Sequence, residues 1–167
     1  MNTVLDFEPI WSELLGQPEA ISQLRQAVSD KDAGLQHAWL LTGPPGSGRS
    51  NAATAFAAAL LCEKAGCGQC KSCRMVSSGS HPDVSVLATE KVIISIEEIR
   101  QLVASSHFGG SVGKYQIMII EDADRMSERS SNVLLKALEE PPAGTIWLLC
   151  APSEADMLPT IRSRVRR

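Results

Sequence analysis

Apolar and polar positions along this chain switch between a helical and a strand period, and each switch marks an element. Over 17–31 the residues Ala20, Ile21, Leu24, Ala27 and Val28 recur at spacings of three and four. They line one face of a helix, with Glu19, Gln23, Arg25 and Gln26 outward. The run 38–41 is apolar without a break, as a strand buried on both faces reads, and it ends at a glycine-rich stretch. A helix is predicted from about 48 to 62, its face almost all Ala, Phe and Leu and so suited to close packing on a sheet. After a cysteine-bearing loop, a short helical piece over 71–77 is broken by Ser78-Gly79-Ser80-His81-Pro82. Residues 83–88 alternate Val84, Val86 and Ala88 with Ser85 and Leu87, a strand pattern.

Ser95 is placed to cap a helix that carries Ile96, Ile99, Leu102 and Val103 inward. Glu97 and Glu98 fall in its first turn, where the positive end of the helix favours acids, and Gly109-Gly110-Ser111 closes it. Residues 115–120 read as a strand. Residues 127–140 read as a helix with Val133, Leu134, Leu135 and Leu138 apolar, stopped by Pro141-Pro142, and 145–150 as a further strand. Strands alternating with helices predict an α/β fold, a parallel sheet flanked by helices.

Composition narrows the class. At 167 residues, 44% hydrophobic and 21% charged, the chain suits one domain with a sizeable core. A formal charge of -3 and a pI near 5.6 argue against a surface coated in basic residues for nucleic acid, so any such contact is local. Residues 1–10 carry Asp6 and Glu8 and no apolar core, unlike a signal peptide. The longest apolar tract, 52–62, falls far short of the about 20 residues of a membrane span. A soluble, cytoplasmic protein without membrane association is expected. Four of the five cysteines crowd into 62–73, which suits a metal site in a reducing compartment better than a spread disulfide framework; Cys150 stands apart and is expected to be buried.

Three stretches carry candidate chemistry. Gly43, Pro44, Pro45, Gly46, Ser47, Gly48, Arg49 and Ser50 follow the pattern of a phosphate-binding loop, with Arg49 where the motif has lysine. Glycines let backbone N–H groups approach phosphate oxygens, and the following helix points its positive end at the same anion. A Gly-Pro turn would account for the glycines alone, but the strand before and the helix after favour the phosphate cradle. In that reading Ser50 offers its hydroxyl to magnesium. Arg49 keeps the lysine's charge, yet a planar fork does not replace a compact ammonium. Glu121 and Asp122, at the end of the 115–120 strand, would complete a site for ATP or ADP with magnesium.

Cys62, Cys67, Cys70 and Cys73 offer four thiolates around turns at Gly66 and Gly68, a pattern for one tetrahedral zinc ion. Four cysteines leave no open position, so the site is expected to be structural, and His81 is not needed as a ligand. His37 and His107 have no partner pattern. Arg162, Arg164, Arg166 and Arg167 close the chain; a phosphate-contacting patch, a solvated end and a residue reaching a neighbour's nucleotide all remain open readings.

Taken together, these motifs resemble the bacterial clamp-loader family, AAA+ subunits that place the sliding clamp on DNA for DNA polymerase III. The resemblance covers nearly the whole chain. It rests on Leu15-Gly16-Gln17, the 43–50 loop, the four cysteines and His81-Pro82-Asp83. It continues through Ile96-Glu97-Glu98-Ile99-Arg100, Asn132, the segment Leu134-Leu135-Lys136-Ala137-Leu138-Glu139-Glu140-Pro141-Pro142, and Ser163-Arg164. It implies one AAA+ P-loop domain over 1–167 with a small zinc module at about 62–80. It also implies an N-terminal fragment, monomeric in isolation, without the family's lid and collar domains.

The hydrolysing gamma or tau type has Lys in the loop, Asp then Glu after the third strand, and a phosphate-sensing Thr after the fourth. This chain has Arg49, Glu121-Asp122 in reversed order, and Ala151-Pro152. Those departures resemble the delta-prime type, a non-hydrolysing stator that supplies an arginine finger to the adjacent subunit. By that resemblance the finger is Arg164, although Val165 replaces the usual following cysteine. The implied partners are gamma or tau and delta subunits in a hetero-pentamer and, through the complex, the sliding clamp and primer-template DNA. An active ATPase of gamma/tau type is the alternative; a zinc-stabilised DNA-binding module fits the acidic charge poorly.

Overall fold

The computed structural model describes residues 9–12, 14, 16–109 and 113–167. They form two compact units. One holds the described residues up to Leu35 together with Thr54–His81, and the other holds Gln36–Ala53 and Pro82–Arg167.

In the first unit, α1 (Pro9–Ser12) precedes α2 (Pro18–Ser29), whose buried face is Leu24, Ala27 and Val28, as the three-four spacing predicts. Pro18 starts α2 without harm because the first turn of a helix leaves its N–H groups unpaired in any case. The helix expected over 17–31 ends instead at Ser29, and a 3-10 turn, Lys31–Ala33, follows. The helix α3 (Arg49–Leu61) begins in the second unit and continues into the first; Ala55 to Leu60 are all nearly inaccessible. α4 (Lys71–Ser77) matches the short helical piece predicted there.

The second unit is built on a parallel sheet of four strands, β1 (Ala38–Thr42), β2 (Val84–Leu87), β3 (Gln116–Ile120) and β4 (Thr145–Ala151), in the order β1-β4-β3-β2. Every residue of β3 and β4 is buried, which explains why both read as unbroken apolar runs. β2 is an edge strand. Its Leu87 packs on the core, whereas Val86 is 51% exposed, so the alternation in the sequence marks one inward and one outward face.

α5 (Ile96–Ser106) opens with a capping box: the Ser95 hydroxyl accepts from the Glu98 amide at 3.3 Å while the Glu98 carboxylate accepts from the Ser95 amide at 2.8 Å. The Ser95 amide, joined by the Ser95 hydroxyl donating to the same carboxylate at 2.8 Å, holds the Glu98 carboxyl below its ordinary pKa. The helix stops at Ser106; of the glycine-serine stretch expected to close it, Gly109 has φ +70° and residues 110–112 lie outside the described residues. α6 (Glu128–Glu139) is capped by Ser127 and buries Leu134, Ala137 and Leu138, and α7 (Pro159–Arg162) buries Ile161. These side chains form one core with Ile99, Leu102, Met118, Ile120, Trp147 and Leu149.

Candidate functional site

Because the strands are parallel, their carboxyl ends share one edge of the sheet, the edge where open α/β sheets place their ligands. The loop 43–50 leaves β1 there. Its start is tied to the end of β4 by the Gly43 amide, which donates to the Ala151 carbonyl at 3.2 Å, and it turns back on itself where the Ser47 amide donates to the Pro44 carbonyl at 3.0 Å. Gly48, with φ +85°, delivers the chain into α3 through a conformation that a side chain would strain.

Arg49, the first residue of α3, does not extend into open space. One Nη donates to the Gly43 carbonyl of its own loop, and the other donates to Asp122 Oδ1 at 2.8 Å. The Arg49 side chain is only 11% exposed. β4 separates β1 from β3, strands about 10 Å apart, so the loop and its arginine together bridge two strand spacings to this carboxylate.

Asp122 is prepared for the meeting by its backbone. It is left-handed, with φ 50° and ψ 49°, a conformation that Asp and Asn tolerate better than most residues. The 3-10 turn that follows, Ala123–Arg125, brings Arg125 back so that its Nη2 donates to Asp122 Oδ2 at 2.8 Å. Arg125 also donates to the carbonyls of Lys91, at 2.6 Å, and Thr89, at 3.1 Å. The two oxygens of Asp122 thus serve two arginines, one each. Arg125 is a site residue that motif reading passes over, although its spacing of three from Asp122 was a usable signal.

Glu121 stays at the end of β3, where its amide donates to the Leu87 carbonyl at 2.9 Å. Cys150 lies beneath the loop, its thiol 3.9 Å from the Arg49 carbonyl and fully buried as expected. Burial, reinforced by the negative charges of Glu121 and Asp122, pushes its pKa up to about 12.

The cysteines of the first unit converge. The sulfurs of Cys62, Cys67, Cys70 and Cys73 all lie within 4.8 Å of one another, and those of Cys62 and Cys70 are 3.8 Å apart. A tetrahedron with metal–sulfur bonds of about 2.3 Å has edges of about 3.8 Å, so this donor set fits a zinc ion. Backbone amides supply the surrounding hydrogen bonds: those of Lys64 and Cys67 point at Cys62 Sγ at 3.4 and 3.5 Å, Cys70 at Cys67 Sγ at 3.3 Å, and Cys73 at Cys70 Sγ at 3.4 Å. Amides of Gln69 and Cys70 draw the Cys67 thiol down to about 6, whereas burial pushes the Cys73 thiol up. The turn needs Gly66, whose φ is +110°; a Cβ there would come within 2.3 Å of Ile10 Cγ2. His81 is buried outside this set of four.

The arginines at the end of the chain separate in the fold. Arg166 continues the sheet on the free edge of β1: its amide donates to Ala38 at 2.9 Å, its carbonyl accepts from Leu40 at 2.7 Å, and its guanidinium lies 5.0 Å from the Trp39 ring centroid. Arg167 pairs with Glu154, and Arg164 with Glu139 at 2.6 Å. His37 Nε2 donates to the Leu138 carbonyl at 2.8 Å, a hydrogen bond that ties the start of β1 to the end of α6.

Comparison with known proteins places these features in a family. The family described as "DNA polymerase III, delta subunit" matches residues 16–167. The chain is 38% identical over 134 residues to the DNA polymerase III subunit delta' of Pseudomonas aeruginosa, a match that covers 77% of this chain and 41% of that protein. It is 34% identical over 162 residues to the subunit tau of Bacillus subtilis, covering 94% of this chain and 28% of that protein. The chain therefore spans well under half the length of these relatives. Among solved structures, a DNA polymerase III gamma subunit-related protein of Thermotoga maritima superimposes with a TM-score of 0.62 at 22% identity, over 87% of this chain and 44% of that one, a likeness of fold. With the match running from Gly16 through the loop, the cysteine cluster and the sheet to Arg167, the chain belongs to the DNA polymerase III delta-subunit family.

Proposed function

We propose that this chain is the AAA+ P-loop domain of a delta-prime clamp-loader subunit, one that helps place a sliding clamp on DNA and does not hydrolyse ATP itself. The observation that carries the second half is the pairing of Arg49 with the Gly43 carbonyl and Asp122. Phosphoryl transfer depends on positioned charges around the terminal phosphate. Here the loop's cation and the nearest strand-end carboxylate neutralise each other. Ala151, the last residue of β4, has a methyl group where the hydrolysing subunits of the resembled family carry a hydroxyl.

In this reading the domain acts on a neighbour. Arg164 reaches the ATP of an adjacent gamma or tau subunit, where an arginine supplied in trans contributes about 10³ to 10⁵ in rate. Delta, gamma or tau, the clamp and primer-template DNA are the partners. Zinc held by Cys62, Cys67, Cys70 and Cys73 would cross-link a segment with little apolar content of its own, a structural service. No described helix is long and apolar enough to cross a membrane.

The similarity to tau subunits supports a second reading, an active ATPase of gamma/tau type. Calorimetric titration with ATP and ADP in the presence of magnesium, followed by a turnover assay on the same sample, separates the two. Absence of turnover is expected whether or not nucleotide binds, and turnover by this chain would overturn the proposal. Arg164→Ala is expected to lower the ATPase of the assembled loader, and unchanged loader turnover would remove Arg164 from the mechanism.

A further inference from the structure

We infer that Glu139 is the positioning residue for Arg164; this rests on reading Arg164 as the arginine offered to a neighbour's nucleotide. Glu139 is the last residue of α6, where Pro141-Pro142 follows and the helix presents its negative end. An acid in that place is disfavoured by the helix dipole. The structure offsets the misplacement by setting a cation against it: Arg164 Nη2 lies 2.6 Å from Glu139 Oε1.

Both backbones are anchored next to the pair. Leu138, beside Glu139, is 2% exposed, and the Arg164 amide donates at 3.0 Å to the carbonyl of Ile161, which is fully buried. The other Nη of Arg164 donates to the Thr160 carbonyl at 2.8 Å and to Ser163 Oγ at 3.1 Å. A guanidinium has five N–H donors, so three acceptors fix its plane and leave donors for an incoming anion. The side chain remains 35% exposed. Arg164 is therefore held in one orientation at the surface before any partner arrives, and the entropy of ordering a long flexible side chain is met within this chain rather than at the moment of contact.

The test uses the clamp-loader complex that contains this chain and a double-mutant cycle. Exposed ion pairs contribute about 0.2–1 kcal/mol, so Glu139→Gln is expected to lower the Arg164-dependent part of kcat about 1.4- to fivefold. KM for ATP and the melting temperature of the chain should stay where they are, and Glu139→Gln should add nothing in an Arg164→Ala background. A fall of the same size in that background, or no fall with Arg164 intact, overturns the positioning role while the arginine reading stands. Loader turnover untouched by Arg164→Ala overturns both. A second measurement needs no partner. Rotation about the Arg164 Nε–Cζ bond, followed by NMR of the 167-residue chain, is expected to be hindered and to become free in Glu139→Gln; free rotation in the unaltered chain refutes the inference.

Discussion

Arg49 and Asp122, 73 residues apart in sequence, meet at 2.8 Å across the carboxyl edge of the sheet. The guanidinium is almost fully withdrawn from water while the carboxylate is 40% exposed, so the arginine depends on the pair more than the aspartate does. Removing the partner of a largely buried charge costs more than the pair contributes, because the remaining ion stays desolvated.

Asp122→Asn keeps the residue type that tolerates a left-handed backbone and removes the charge that two arginines share. Unfolding by urea is expected to show a loss of about 1–2 kcal/mol. With Arg49 no longer held by an anion, ADP should bind about tenfold or more tightly than to the unaltered chain, measured by calorimetry, and still without turnover. Equal ADP affinity in the two proteins would mean that the ion pair does not govern access to the loop.

Metal analysis of the purified chain is expected to find about one zinc per chain. Cys70→Ser should lose it, since Cys70 would supply one of the four thiolates, while the serine hydroxyl keeps the α4 cap that Cys70 Sγ provides by accepting from the Cys73 amide. Loss of helix by circular dichroism should accompany metal removal by a chelator and reverse when zinc is restored. A chain that is metal-free yet as stable as the zinc-loaded form would leave the four sulfurs without the structural task assigned to them.

The buried Cys150 thiol makes stability fall at alkaline pH. Its pKa is raised in the folded chain from 9.0 to about 12, so the contribution is fully present below pH 9. Between pH 9 and 12 the unfolded chain ionises this thiol and the folded chain does not, and stability is lost as pH rises. At pH 10 the loss is about 1.4 kcal/mol, and Cys150→Ala should remove that part of the slope. Denaturant melts at pH 8, 9 and 10 measure it; parallel curves for the two proteins would place the thiol in contact with water.

What the chain shows without its fold is local. The periods of Leu24-Ala27-Val28 and of Val133, Leu134, Leu135 and Leu138, the Ser95 cap and the cysteine spacing specify helices and a candidate ligand set, because each depends on neighbours within a few residues. The glycine loop likewise declares its strand-turn-helix context.

The partners of the arginines are of another kind. Arg49 finds Asp122 only because β4 inserts between β1 and β3, and the hydrophobic pattern of fully buried strands does not encode their order. The same holds for Glu139 with Arg164 and for Arg166 against Trp39 and the edge of β1. Sequence alone placed a cation in a phosphate-type loop and a row of arginines at the end of the chain. Tertiary structure decided which carboxylate each one faces, since a charge takes whatever partner the packing of distant elements brings within reach.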